Sequence, residues 1–334
     1  MPRLVQFDFA KAFAIILVVI GHYNPSYAPD WYTTLRSWIY TFHMPLFMFA
    51  SGYIYLSFKK DERYFDFIKK KIRRLFIPYI IVSIIIISIK MLTQRNMYVE
   101  NPVTLESYIQ ILYFPAAGYF LWFIWSLLTY FLIIPFFKTA SARLVLLFIS
   151  IILHYIFTLE SIKLFAINET SRNLLWFMLG TSVCDYGNII FASKCWKKNG
   201  FILKTLLVVL FIIASILFFN QTPHSNKILP WLGIATIMAI STWMVHIRKT
   251  SFARTLLIIG SASYIIYLFH TTFEGLAKSI LQKISFFTIS DVGFVLGAIL
   301  CILTGIVGSV IFFYIIRKFQ LTRMIFGLKN NNQN

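Results

Sequence analysis

Residues 7–25 read FDFAKAFAIILVVIGHYNP. From Phe7 to Gly21 the run is apolar enough to cross a bilayer except at Asp8 and Lys11, and His22 follows at once. Ionisable groups inside a span are costly and normally face protein or a wet cavity. At 100° per residue, His22 lies about 20° around the axis from Lys11, with Asp8 about 60° away on the same side. The three therefore share one stripe, and about 16 Å along the axis separates Lys11 from His22. An ion pair between Asp8 and Lys11 at the inner interface, with Lys11 snorkelling, would explain two of them without any chemistry. The shared face, continued to His22, argues for a functional stripe.

The rest of the chain repeats the apolar pattern. Of 334 residues 59% are hydrophobic and 13% charged, and the mean hydropathy is +0.75. Soluble domains carry about 25% charged residues. Ten hydrophobic segments stand out, near 5–23, 37–57, 75–92, 118–137, 143–159, 172–190, 201–219, 228–246, 255–272 and 291–316. Their continuity argues against the period-two alternation of a membrane barrel. The expectation is an all-α integral membrane protein, a bundle of about ten transmembrane helices. One membrane-embedded domain would fill residues 1–320, with a polar cytoplasmic tail over 321–334.

The net charge of +19 finds its explanation in topology rather than in nucleic acid. With both termini cytoplasmic, 21 of the 31 Lys and Arg residues fall in inner loops and 8 in outer ones, which follows the positive-inside bias. The first span reads as retained, because GHYNPSY is a poor cleavage site. Cys184, Cys195 and Cys301 show neither metal-ligand nor disulfide spacing, so no metal site is expected.

Three further features carry polar chemistry. The second span holds FHMPLFMFASGY, residues 42–53, in which His43 sits at a depth comparable to His22 and Pro45 frees a backbone carbonyl. Trp122, in WFIWSLL, and His270, in GSASYIIYLFH, are expected in the same outer half. Each alone is an ordinary packed or interfacial residue, but three imidazoles and an indole at one depth mark a candidate site. The first cytoplasmic loop ends KKKIRRLFIPY, residues 69–79, with Lys70, Lys71, Arg73 and Arg74 against a span. Positive-inside charge or anionic lipid accounts for any one lysine. Guanidinium forks at the membrane mouth suit a phosphate-rich ligand.

Taken together, these stretches resemble the membrane-bound acyltransferase-3 family, integral-membrane O-acyltransferases that often modify bacterial surface glycans. The resemblance runs from about Phe7 to about Arg317. It rests on Asp8, Lys11 ten residues ahead of His22, the second-span motif, the basic loop, WFIWSLL and GSASYIIYLFH. The family commonly has Arg where this chain has Lys11, which keeps the charge and loses the planar fork. The family's basic pair spaced by three matches either Lys70 with Arg73 or Lys71 with Arg74.

The resemblance implies an acyl-CoA co-substrate, most simply acetyl-CoA, and no tightly bound cofactor. It implies a sugar hydroxyl of a glycan or lipid-linked sugar as acceptor, and residence in a bacterial cytoplasmic (inner) membrane among its lipids. Lys11, Lys70, Lys71, Arg73 and Arg74 would contact the donor. His22 would act as general base, since an imidazole titrates near neutrality. Asp8, His43, Trp122 and His270 would support the site, with His43 or Trp122 as candidate oxyanion donor; a covalent acyl-His22 stays open, as does a homo-oligomer. The competing reading is a transporter or glycan flippase with an Asp/Lys/His proton relay, against which stands the lack of an internal repeat. A non-enzymatic scaffold would instead tolerate substitution along the first-span stripe.

Overall fold

A computed structural model describes residues 4–95, 101–156, 164–191, 194–222 and 224–328. All regular structure among them is helical. In chain order the helices are α1 (Val5–His22), α2 (Asp30–Ser57), α3 (Tyr64–Lys71), α4 (Ile77–Thr93), α5 (Ser107–Gln110), α6 (Trp122–Ile133) and α7 (Ala140–Ile156). They continue as α8 (Ile167–Phe191), α9 (Lys194–Phe219), α10 (Ser225–Met244), α11 (Ser251–Leu281), α12 (Ser285–Ile289), α13 (Asp291–Lys318) and α14 (Gln320–Ile325).

Seven helices among the described residues are long and apolar enough to cross a membrane: Val5–His22, Tyr64–Thr93, Tyr119–Phe136, Gly200–Phe219, Ser225–Met244, Ser251–Leu281 and Asp291–Lys318. The three other expected segments fall on α2, α7 and α8. Of these, α7 is only 17 residues long, and α2 and α8 carry charged residues such as Arg36, Glu169, Arg172 and Asp185. Along the long helices apolar side chains face outward, among them Ile213 and Ile216 on α9 and Leu303, Val307 and Ile311 on α13. Such outward faces suit lipid, which removes the penalty water would impose.

The described chain forms two compact units, Met1–Leu56 with Val183–Phe313, and Ser57–Ser182 with Tyr314–Asn334. In the first unit α1 packs on α11 and α10, and α10 on α9. Phe9, Ala12, Met244, Ala253 and Leu256 form a buried cluster between these helices. Gly260 permits α11 to approach α1 closely, since a Cβ built there would stand 2.1 Å from the Asp8 carbonyl oxygen. The start of α11 is fixed by Thr250, whose side chain accepts from the Ala253 N–H, a standard N-cap. Between Tyr23 and Pro29 two prolines hold the chain out of helix, and α2 resumes at Asp30, an acidic residue at its positive end.

In the second unit α3 and α4 are joined by a π turn, Ile72–Phe76, into one rod from Tyr64 to Thr93. Pro78 explains the widening. It has no N–H to give the Arg74 carbonyl, and the Ile77 N–H bonds back five residues to Ile72, a register typical of π bulges. The Tyr79 hydroxyl donates to the Ile111 carbonyl at 2.8 Å and Tyr130 donates to that of Thr170 at 2.6 Å, tying neighbouring segments of this unit together.

Candidate active site

In the first unit α1 ends in a tight knot of bonds. The carbonyls of its last turn have no helical partner of their own. The Tyr32 hydroxyl donates to the Ile20 carbonyl at 2.8 Å, Arg36 Nε to that of Gly21 at 2.8 Å, and the Tyr40 hydroxyl to Gly21 at 3.2 Å. Arg36 also donates from Nη1 to Asn24 Oδ1 at 2.5 Å. Tyr32, Arg36 and Tyr40 are spaced by four on α2 and so line one face. That face clamps the residue next to His22.

His22 itself is half-buried. Its Nδ1 lies 3.5 Å from the Tyr40 hydroxyl. Because that hydroxyl gives its proton to Gly21, the Tyr40 oxygen is placed to accept from an N–H on Nδ1, which leaves Nε2 with its lone pair. The His22 and His270 ring centroids are 5.2 Å apart, and Tyr40 meets His22 at 6.0 Å and His43 at 4.9 Å, edge to face. Imidazoles from α1, α2 and α11 thus gather, with His270 against His22 and Tyr40 between His22 and His43.

The other two rings are pinned by backbone. His43 Nδ1 is 2.8 Å from the Ile39 carbonyl, and His270 Nδ1 is 2.9 Å from that of Ile266 and 3.0 Å from that of Tyr267. A carbonyl only accepts, so in both rings the proton sits on Nδ1 and a neutral ring offers Nε2 as an acceptor. Both residues are buried. A neutral His43 held in this way has no spare N–H for an oxyanion.

Lys11 and Asp8 form an ion pair at 2.8 Å along α1, the i,i+3 partnership that their spacing allowed. Asp8 is buried and Lys11 partly exposed. The pair holds the lysine head on the stripe that leads to His22.

Trp122, Lys70, Lys71, Arg73 and Arg74 belong to the second unit. There Trp122 is half-buried and meets Phe123 edge to face. Lys70 pairs with Glu62. Lys71 lies over the Phe131 ring at 4.0 Å and the Phe67 ring at 5.1 Å, a cation–π arrangement. Arg73 and Arg74 are exposed on the π turn, with no ion pair or side-chain hydrogen bond among the described residues. Gly327, at φ +61°, brings the chain against Arg74, where a Cβ would stand 2.8 Å from Arg74 Cγ. Two neighbouring guanidinium groups are therefore available to an anion.

Three residues of the first unit were not singled out by sequence. Arg36, expected in an outer loop, is inside α2 and bonded to the end of α1. Tyr40 touches His22. Glu274 is 4% exposed on α11, one turn beyond His270. The four-residue spacings from Tyr32 to Tyr40 and from His270 to Glu274 were the available signals. No group of three or more His, Cys, Asp or Glu able to hold a metal occurs among the described residues.

Comparison with known proteins bears on the family of the chain. The family model described as an acyltransferase domain matches residues 4–314. Nodulation protein NolL of Mesorhizobium japonicum is 47% identical over 57 residues, which cover 16% of this chain and 15% of that protein. No solved structure matches the chain significantly. A match running nearly end to end, through the three helices that carry His22, His43 and His270 and through the basic rod, places the chain in the acyltransferase-3 family.

Proposed function

We propose that the protein transfers an acetyl group from cytoplasmic acetyl-CoA to a sugar hydroxyl of a surface polysaccharide or its lipid-linked precursor. Family membership supports acyl transfer to a sugar or polysaccharide by a membrane protein. The protein resides in a bacterial inner membrane, with α2, α7 and α8 completing about ten spans and both termini cytoplasmic.

The observation that carries the mechanism is the contact of His22 Nδ1 with a Tyr40 hydroxyl already committed to Gly21. In this tautomer Nε2 carries the lone pair and acts as the base. It removes the acceptor hydroxyl proton as that oxygen attacks the thioester carbonyl, forming the new C–O bond. Collapse of the tetrahedral intermediate breaks the C–S bond, and the proton on His22 passes to the departing thiolate, giving free coenzyme A. Positioned acid–base catalysis of this kind contributes about 10²–10⁴-fold.

The donor's phosphates are assigned to Arg73 and Arg74, supported by their exposure and by the fork geometry guanidinium offers phosphate. Lys70 and Lys71 add charge but are already engaged with Glu62 and with aromatic rings. Lys11, steadied by Asp8, is the cation of the first unit on the stripe leading to His22. Keeping the nucleotide in water avoids burying an unpaired polyanion in hydrocarbon. The test is transfer of radiolabelled acetyl by purified protein. Free coenzyme A released in step with labelled glycan supports the reading, and glycan movement across vesicles without coenzyme A release would favour a flippase.

A further inference from the structure

The second unit holds a groove that the steps above leave unused. One wall is a face of the rod, Ile68, Lys71, Ile72 and Phe76, at spacings of three, one and four residues. The other is the face of α6 from Trp125 to Leu132. The two elements run in opposite directions. The Tyr64 hydroxyl, at the start of the rod, donates to the Leu132 carbonyl at 3.0 Å, and Phe76 meets Trp125 edge to face at 5.5 Å. Between these ties lies a cavity of about 190 Å³, well above the water-sized voids that close packing leaves. Ile72 and Leu132, 42% and 45% exposed, leave it open at the surface of the unit.

Among the side chains lining the groove, Lys71 alone is charged. Its ammonium lies over the Phe131 ring at 4.0 Å and the Phe67 ring at 5.1 Å, and it makes no ion pair among the described residues. Ring faces attract a cation without neutralising it, and a charge beside hydrocarbon is stabilised by an anion. The open apolar walls in turn fit a hydrocarbon chain. Lys71 is seven residues into the rod, about 10 Å from its start, and Phe131 is near the end of α6. The cation therefore sits close to the ends of both helices, where phospholipid head groups stand. An anionic phospholipid carries an anion and a chain joined at that depth, and basic pockets between helices take such lipids. Free phosphate would answer the charge alone, and an uncharged lipid the walls alone.

We propose that the groove seats one acyl chain of an anionic phospholipid whose phosphate pairs with Lys71. Ile72 and Phe76 are the two ends of the π turn, so a chain packed on both braces the segment between them, which carries Arg73 and Arg74. Arg74, two residues past Ile72, falls on the far side of the rod, against Gly327. Lipid and donor phosphates therefore use different faces. The lipid site stands without the acyl-transfer reading, and only its consequence for the donor rests on that reading.

The test is native mass spectrometry of the full-length protein, delipidated in an uncharged maltoside detergent and titrated with dioleoyl phosphatidylglycerol or dioleoyl phosphatidylcholine. The wild type should bind one phosphatidylglycerol about fivefold or more tighter than phosphatidylcholine. Lys71→Gln should remove that preference. Leu132→Trp, which fills the mouth of the groove from an exposed position, should lose the tight lipid, and both variants should elute from a sizing column as the wild type does. Equal binding of the two lipids by the wild type would overturn the site, as would phosphatidylglycerol binding that neither variant changes. Coenzyme A affinity in the same samples should rise with phosphatidylglycerol in the wild type and not in Leu132→Trp. If the lipid seats as described and coenzyme A never binds, the groove stands and the acyl-CoA reading falls.

Discussion

The Tyr40 hydroxyl lies 3.5 Å from His22 Nδ1 while donating its own proton to the Gly21 carbonyl at 3.2 Å. One phenol thus binds the backbone just before the histidine and faces the Nδ1 nitrogen of its ring. This is the arrangement by which a partner group fixes an imidazole tautomer, built here from a residue three positions ahead of His43 on the neighbouring helix.

Tyr40→Phe removes the hydroxyl and keeps the ring against His22 and His43. The kcat for acetyl transfer should fall about ten- to a hundredfold with little change in KM for the donor. A steady-state titration of acetyl-CoA separates the two. An unchanged kcat would show that the phenol does not orient the base.

Arg36→Lys keeps the charge and cannot hold the Gly21 carbonyl and Asn24 together as the fork does. Thermal unfolding in detergent should show a loss of about 1–3 kcal/mol, the cost of leaving polar partners unsatisfied. Wild-type stability would mean that the end of α1 is held by Tyr32 and Tyr40 alone.

Gly260→Ala and Gly275→Ala form a matched pair on α11. The first places a Cβ 2.1 Å from the Asp8 carbonyl oxygen, whereas the second meets nothing within 4 Å. The first should destabilise the protein by about 3 kcal/mol or prevent its accumulation. The second should be neutral or gain up to about 1 kcal/mol from helix propensity. Equal stability of the two variants would contradict the close α1–α11 packing.

Replacing Arg73 and Arg74 together by Ala should raise KM for acetyl-CoA about tenfold or more, leaving kcat at saturating donor near wild type. Lys70→Ala should do less, because Lys70 is engaged with Glu62. Equilibrium binding of coenzyme A in nanodiscs measures this directly. Unaltered affinity in the double variant would assign the arginines to topology alone.

Much of the first unit was legible in sequence because hydropathy and helix period act locally. The stripe Asp8–Lys11–His22 was read from residue spacing; the His22 and His270 rings lie 5.2 Å apart, and His43 meets Tyr40 at 4.9 Å. Hydropathy, however, marks an apolar run and not the end of a helix. The first turns of α2, begun at Asp30, are polar, so Arg36 read as loop. The span expected to stop at 272 continues as α11 to Leu281, which carries Glu274 inside. Depth also orders residues along one axis without saying which helices are neighbours. Trp122, placed level with the histidines by sequence, lies in the second unit beside Phe123.

The central claim, that His22 is the base for acyl transfer, is tested most directly in purified wild-type and His22→Ala protein. The measurement is labelled acetyl passing from acetyl-CoA to isolated surface glycan. The variant should insert, elute and bind coenzyme A as the wild type does, with transfer reduced at least about a hundredfold. Transfer by His22→Ala at the wild-type rate would contradict the account.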